Sequence, residues 1–148
     1  MSNNIIKQLN PQQEKAVKHK QGPALVLAGA GSGKTRVLTH RIAYLIDEYG
    51  VDPQNILAVT FTNKAAEEMK ERVAKLLHGL ERNLMVSTFH SFCSRILRKE
   101  IEKIGYNSNY VIYDTNEQKS LVKRVMKELD LDSSDNKPGA IVNKISQL

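Results

Sequence analysis

Residues Ala28 to Thr35 read Ala-Gly-Ala-Gly-Ser-Gly-Lys-Thr, between the apolar run Pro23-Ala24-Leu25-Val26-Leu27 and an amphipathic stretch. No other feature restricts the fold as much, because a glycine-rich turn between a short buried strand and a helix commits this part of the chain to a strand–loop–helix unit. The residues also suit phosphate. Gly29, Gly31 and Gly33 let the backbone turn its N–H groups toward an oxyanion. Lys34 can reach the outer phosphates and Thr35 can ligate Mg²⁺. The helix expected from Thr35 points the positive end of its dipole at the same charge. The general phosphate-loop pattern has Gly where Ala28 stands, a change that a methyl tolerates when the backbone angles are ordinary. A glycine-rich turn that binds nothing is the plain alternative; the strand, the Gly-Lys-Thr and the helix together argue against it.

The same unit recurs. Ile56 to Phe61 reads as a second buried strand, and Asn63 to Leu77 as a helix with Ala66, Met69, Val73, Leu76 and Leu77 inward, closed by Gly79. Leu84 to Ser87 is a shorter third strand. A helix follows it with Phe89, Phe92, Cys93, Ile96, Leu97, Ile101 and Ile104 at helical spacing. The helix after the loop should run to about Tyr49 with Leu38, Ile42, Leu45 and Ile46 on one face, and Asn10-Pro11 with Gln13 marks the start of a short helix before it. Apolar strands alternating with helices imply a parallel sheet flanked by helices, and hence an α/β fold.

After Gly105 the pattern changes. Thr115-Asn116-Glu117-Gln118 is a capping-box pattern preceded by Asp114, and Leu121, Val122, Val125, Met126 and Leu129 form a helical stripe. A polar linker from Asp130 to Gly139 precedes a last stripe, Ile141, Ile145 and Leu148. The reading is therefore residues 1–105 as a partial nucleotide-binding domain and residues 106–148 as the start of a mainly helical appendage. Three strands make a small sheet with an edge that wants a partner, so the chain reads as truncated.

The chain's 148 residues carry 22 Lys and Arg against 16 Asp and Glu, a net charge of +6 that suits a polyanionic partner. No apolar run approaches the roughly 20 residues that span a bilayer. The single cysteine, Cys93, rules out an internal disulfide framework, fits a reducing cytoplasm, and is expected in the core because it lies on an apolar stripe.

Four stretches then carry a resemblance: Leu9-Asn10-Pro11-Gln12-Gln13; Ala28 to Thr35 with Arg36 to Arg41; Thr60-Phe61-Thr62-Asn63-Lys64-Ala65-Ala66 with Glu68-Met69; and Ser87-Thr88-Phe89-His90-Ser91-Phe92. In this order and at this spacing they resemble successive motifs of the UvrD/Rep/PcrA family, superfamily 1 DNA helicases that move 3′ to 5′. The match runs from Leu9 to about Ile104. It continues more weakly to Leu148, which resembles the start of a subdomain inserted into the first RecA-like domain. The resemblance implies an ATP-dependent DNA helicase with ATP and Mg²⁺ as cofactors. Single-stranded DNA and duplex junctions would be its partners, together with the remainder of the helicase chain.

It also implies roles. The nucleotide would be held by Gln13, Ala28, Gly29, Ala30, Gly31, Ser32, Gly33, Lys34, Thr35 and Arg36. Within that set Lys34 and Thr35 act on the phosphates and metal, Gln13 reads the adenine edge, and Arg36 lies over the adenine face. The DNA would be held by Thr60, Phe61, Asn63, Thr88 and His90. From the sequence alone Phe61 reads as core; the resemblance makes it a base-stacking platform. Likewise Gln13 alone reads as a partner of Asn10, Arg36 as a surface arginine and His90 as a polar residue at a helix start.

The family's acidic Asp-Glu pair and the arginines of its second RecA-like domain have no counterpart in these residues. The one apolar run ending in an acid, Tyr110 to Asp114, reads as a helix cap. The fragment is thus expected to be inactive alone. Two other classes remain: a non-catalytic nucleotide-binding module, and a different phosphate-loop enzyme, such as a small-molecule kinase, using Asp114 at its metal.

Overall fold

The computed structural model of the chain describes residues 5–131 and 137–147. The expected linker Asp130 to Gly139 therefore lies partly, and Leu148 wholly, outside them. Two compact units result, one reaching Lys99 and the other starting at Glu100.

The first unit is an α/β arrangement around a two-stranded parallel sheet. Helix α1 (Pro11–Lys18) starts where proline costs no hydrogen bond, at the first helical position. Helix α2 (Lys34–Asp47) starts from Gly33, whose φ of 87° is left-handed. Strand β1 (Leu57–Thr60) leads into helix α3 (Asn63–Leu77), and strand β2 (Met85–Thr88) into helix α4 (Phe89–Glu100). β1 and β2 run parallel in the register Leu57 to Met85 through Thr60 to Thr88.

The core joins α1, α2 and α3 to one strand: Val17, Val37, Ile42, Ala43, Ile46, Met69, Val73, Leu77 and Val86 are all buried. On α3 four of the five expected residues, Ala66, Met69, Val73 and Leu77, are buried and Leu76 is partly so. On α2 the buried face is rotated from expectation, with Val37 and Ala43 inside and Leu38 exposed.

Two expectations fail. The run Pro23 to Leu27 is neither in a ladder nor buried; Leu25 and Leu27 are 85% and 86% exposed. A parallel strand is stable only when neighbours take up its N–H and C=O groups and elements cover both faces. β1 and β2 pair with each other, and no described residue pairs with this run. Helix α4 forms but ends at Glu100, short of the expected Ile104; none of its residues is buried, only Ile101 of the expected stripe is, in the turn that follows, and Cys93 is exposed, not core. Apolar spacing identifies the face that would be buried; it does not supply the element that covers it.

In the second unit a 3-10 turn (Ile101–Ile104) ends at Gly105, whose φ is 86°. Helix α5 (Thr115–Glu128) and helix α6 (Pro138–Ile145) follow. Asp114 caps α5: its carboxylate accepts from the N–H groups of Asn116 and Glu117 at 2.7 and 2.8 Å, and the Glu117 carboxylate accepts from the Asp114 N–H at 2.7 Å. The box thus starts one residue ahead of the Thr115–Gln118 pattern, because a carboxylate is a stronger acceptor for orphan N–H groups than a hydroxyl.

Candidate nucleotide and nucleic-acid site

Asn10 and Gln13 close a reciprocal capping box at the start of α1. The Gln13 N–H donates to Asn10 Oδ1 at 2.9 Å, and the Asn10 N–H donates to Gln13 Oε1 at 3.1 Å. The same Gln13 amide reaches the glycine-rich loop, where Nε2 donates to the Ser32 carbonyl at 3.0 Å. A carboxamide offers two hydrogens and two lone pairs. One of each is engaged, so one donor and one acceptor remain, the pair that an adenine edge requires.

The loop is shaped from within. Ser32 Oγ donates to the Gly29 carbonyl at 2.7 Å, and Gly31 and Gly33 both have positive φ, 74° and 87°. Gly33 is required twice over: its backbone is left-handed, and a Cβ there would stand 2.9 Å from Gln13 Nε2. Ala28 is not among the described non-glycine residues with positive φ, which are His78, Asn83 and Asp130, so its methyl imposes no strain. Around Gly29 and Gly31 nothing lies within 4 Å of a built Cβ. The backbone is therefore open where a phosphate would approach.

Lys34 begins α2 and folds its ammonium back over the loop, donating to the Ala28 and Gly29 carbonyls at 3.2 and 2.7 Å. This sets one positive charge against the loop and beside the first turn of the helix, where N–H groups are without intrahelical partners. Thr35 is exposed on that first turn. Its hydroxyl suits Mg²⁺, a hard cation that commonly takes one or two protein oxygens and completes its shell with phosphate and water. Among the described residues no group of three or more His, Cys, Asp or Glu could hold a metal ion.

Arg36 Nη2 donates to Gln8 Oε1 at 2.8 Å, which fixes the guanidinium against the N-terminal turn. Sequence reasoning missed Gln8. Its partner lies 28 residues away, and no local pattern announces such a bond. Beneath Arg36, the buried His40 ring lies with Nδ1 at 2.8 Å from the Arg36 carbonyl. Burial lowers the pKa of this imidazole, Arg36 lowers it further, and the backbone bond opposes both.

A second group assembles at the carboxyl end of the sheet. The parallel register brings Thr60 beside Thr88, and so Phe61 beside Phe89. Thr60 and Thr88 are buried and locally engaged. Thr60 Oγ1 donates to the Thr62 carbonyl at 3.0 Å, while Thr88 Oγ1 donates to Ser91 Oγ at 2.9 Å and accepts from the Ser91 N–H at 3.2 Å. Asn63 and His90 are exposed. Phe61 is 90% exposed and is therefore not core. Phe89, read as part of the buried stripe of α4, is 47% exposed, and its ring lies 5.7 Å from that of Phe61. One sequence signal could have found it: the last residue of each strand and the residue after it form the same dipeptide, Thr60-Phe61 and Thr88-Phe89. The Asp114 carboxylate is committed to capping α5.

Among the described residues no helix is long and apolar enough to cross a membrane. The model of the UvrD/REP helicase N-terminal domain family matches residues 9–148. The ATP-dependent DNA helicase PcrA of Bacillus subtilis is 55% identical over 146 residues, covering 99% of this chain and 20% of that protein. The PcrA helicases of Staphylococcus aureus and Staphylococcus epidermidis are 52% and 51% identical over the same span, again with 99% and 20% covered. The chain thus spans about a fifth of the length of the curated relatives it matches.

Proposed function

The chain belongs to the UvrD/REP helicase N-terminal domain family, and from that premise we propose that it is the ATP-binding part of an ATP-dependent 3′ to 5′ DNA helicase acting in the cytoplasm on single-stranded DNA and at duplex junctions. The observation that carries this reading is the Gln13–Ser32–Lys34 arrangement, which ties a residue suited to an adenine edge directly to the loop suited to its phosphates.

In this reading the loop N–H groups and the N-terminus of α2 receive the phosphates. Lys34 exchanges the Ala28 and Gly29 carbonyls for the outer phosphate oxygens, a charge-assisted contact stronger than the neutral one it leaves. Thr35 would supply one oxygen to Mg²⁺, which would neutralise phosphate charge. Gln13 reads the adenine edge with its spare donor and acceptor, and Arg36, held by Gln8, covers the base as a planar cation. Phe61 offers an exposed ring at the carboxyl end of two parallel strands, where α/β folds bind their ligands. Stacking on it tolerates any base, as stepping along a strand requires. Asn63 and His90, with the backbone around Thr60 and Thr88, give polar contacts to the DNA backbone, which position it without reading sequence.

Turnover needs more than these residues. An acid that aligns water and arginines that stabilise the transition state supply most of the catalysis of phosphoryl transfer. Asp114 is occupied as a cap. We therefore propose that these 148 residues bind ATP without appreciable hydrolysis or unwinding.

Titration with a fluorescent ATP analogue tests the reading. Binding should be saturable and Mg²⁺-dependent, and Lys34→Ala should weaken it by at least about tenfold, the equivalent of one charge-assisted contact. Equal affinity in the variant removes the phosphate-loop assignment. Robust phosphate release that disappears in Asp114→Asn would favour a different phosphate-loop enzyme.

A further inference from the structure

Two aromatic rings stand at the carboxyl ends of neighbouring parallel strands, and only one of them has a role in the function proposed above. Phe61 and Phe89 each follow the last residue of their strand, and the Thr60–Thr88 register sets them side by side. Their centroids are 5.7 Å apart and their planes meet at 45°. Both backbones are held. Thr60 Oγ1 donates to the Thr62 carbonyl on one side, and Thr88 Oγ1 accepts the Ser91 N–H on the other. The freedom left to Phe61 is rotation of its side chain, which is 90% exposed and has the second ring beside it.

We propose that Phe89 is a positioning residue that restricts the Phe61 ring to an orientation able to stack a nucleic-acid base. The proposal rests on the DNA-binding reading of Phe61. A base lying parallel to Phe61 would be inclined to Phe89 by the same 45°, so Phe89 cannot be a second step in one stack. Tilted contact at this distance falls in the range aromatic pairs favour, with one ring bracing the other and leaving a face free. The arrangement explains why a residue at the start of an apolar helix is half exposed yet in contact with another aromatic. It also separates two demands on the site: Phe61 supplies the stacking face, and Phe89 removes the rotational freedom that binding would otherwise have to freeze out.

The test uses the chain with a short oligothymidylate carrying a single 2-aminopurine, whose fluorescence changes when the base stacks. The unmodified chain should change the signal on binding, and Phe61→Ala should abolish that change. Phe89→Ala and Phe89→Leu should reduce its amplitude and weaken affinity about two- to tenfold, the range expected for one aromatic pair. Nucleotide-analogue affinity should be unaltered and the melting temperature close to that of the unmodified chain. Phe89→Tyr, which keeps the ring, should restore the signal. A full signal in both Phe89→Ala and Phe89→Leu, with the loss confined to Phe61→Ala, overturns the positioning role and leaves the DNA reading standing. A probe that does not respond to the unmodified chain, or responds equally to Phe61→Ala, overturns the stacking reading and the positioning role with it.

Discussion

The Gln13 side chain is held from two directions, by the Asn10 N–H within its own turn and by the Ser32 carbonyl of the glycine-rich loop. Its bonds to Asn10 were legible, since a capping box is a pattern at fixed spacing. Its bond to Ser32, across 19 residues, was not, nor was the bond between Arg36 and Gln8, because such contacts depend on how elements pack. His40 is another residue whose setting only packing reveals. It sits 8% exposed in α2, and burial is the main reason its pKa is lowered. The unfolded chain therefore takes up a proton at His40 at higher pH than the folded chain does. The stability this gives is fully present above the unfolded value of about 6.5 and is lost as pH falls through it toward the lower folded value. The urea midpoint should accordingly decline between about pH 7 and pH 5, and His40→Gln should flatten that part of the profile. An unchanged slope in the variant would assign the effect to other groups.

At the scale of elements, α1 has eight residues, too few to be stable unless docked. It is docked by α2. Arg41 Nη1 donates to the carbonyls of Ala16 and Val17 at 3.0 and 3.3 Å and to that of His19 at 2.5 Å, while Tyr49 Oη donates to the Lys18 carbonyl at 2.9 Å. These bonds satisfy the orphan carbonyls at the end of α1 with a cation, the charge that its dipole favours there. Because Gln13 is carried on α1, the clamp also positions the amide that meets the loop. Arg41→Ala should cost about 2 kcal/mol of stability and weaken nucleotide-analogue binding. A melting curve and a titration on one preparation check both, and a variant with normal affinity would show that Gln13 does not depend on the clamp. The two strands that form were legible to within a residue or so. The run at Pro23 to Leu27 was misread because an apolar strand pattern specifies faces, whereas a ladder also needs a partner, which no sequence window contains.

For the whole molecule, net charge conceals a division. Residues 1–99 hold fifteen Lys and Arg against eight Asp and Glu, whereas residues 100–148 hold seven against eight. The excess that favours a polyanion thus belongs to the unit that carries both candidate groups. Composition carries the sign of the excess but not its place in the chain, which follows from the division into units.

The unladdered stretch before the glycine loop has a last consequence, for proteolysis. Every residue from 20 to 32 is exposed, and proteases accept substrates as extended, accessible chain. Limited trypsin treatment should therefore cut first near Lys20, and a protease of broad specificity among Pro23 to Leu27. The cut piece should not leave. Val17 is fully buried, and the bonds from Arg41 and Tyr49 hold the helix on the far side of the nick. Gel filtration should show a single species where a denaturing gel shows two, and separation of the pieces under native conditions would mean that the clamp on α1 is weaker than its hydrogen bonds suggest.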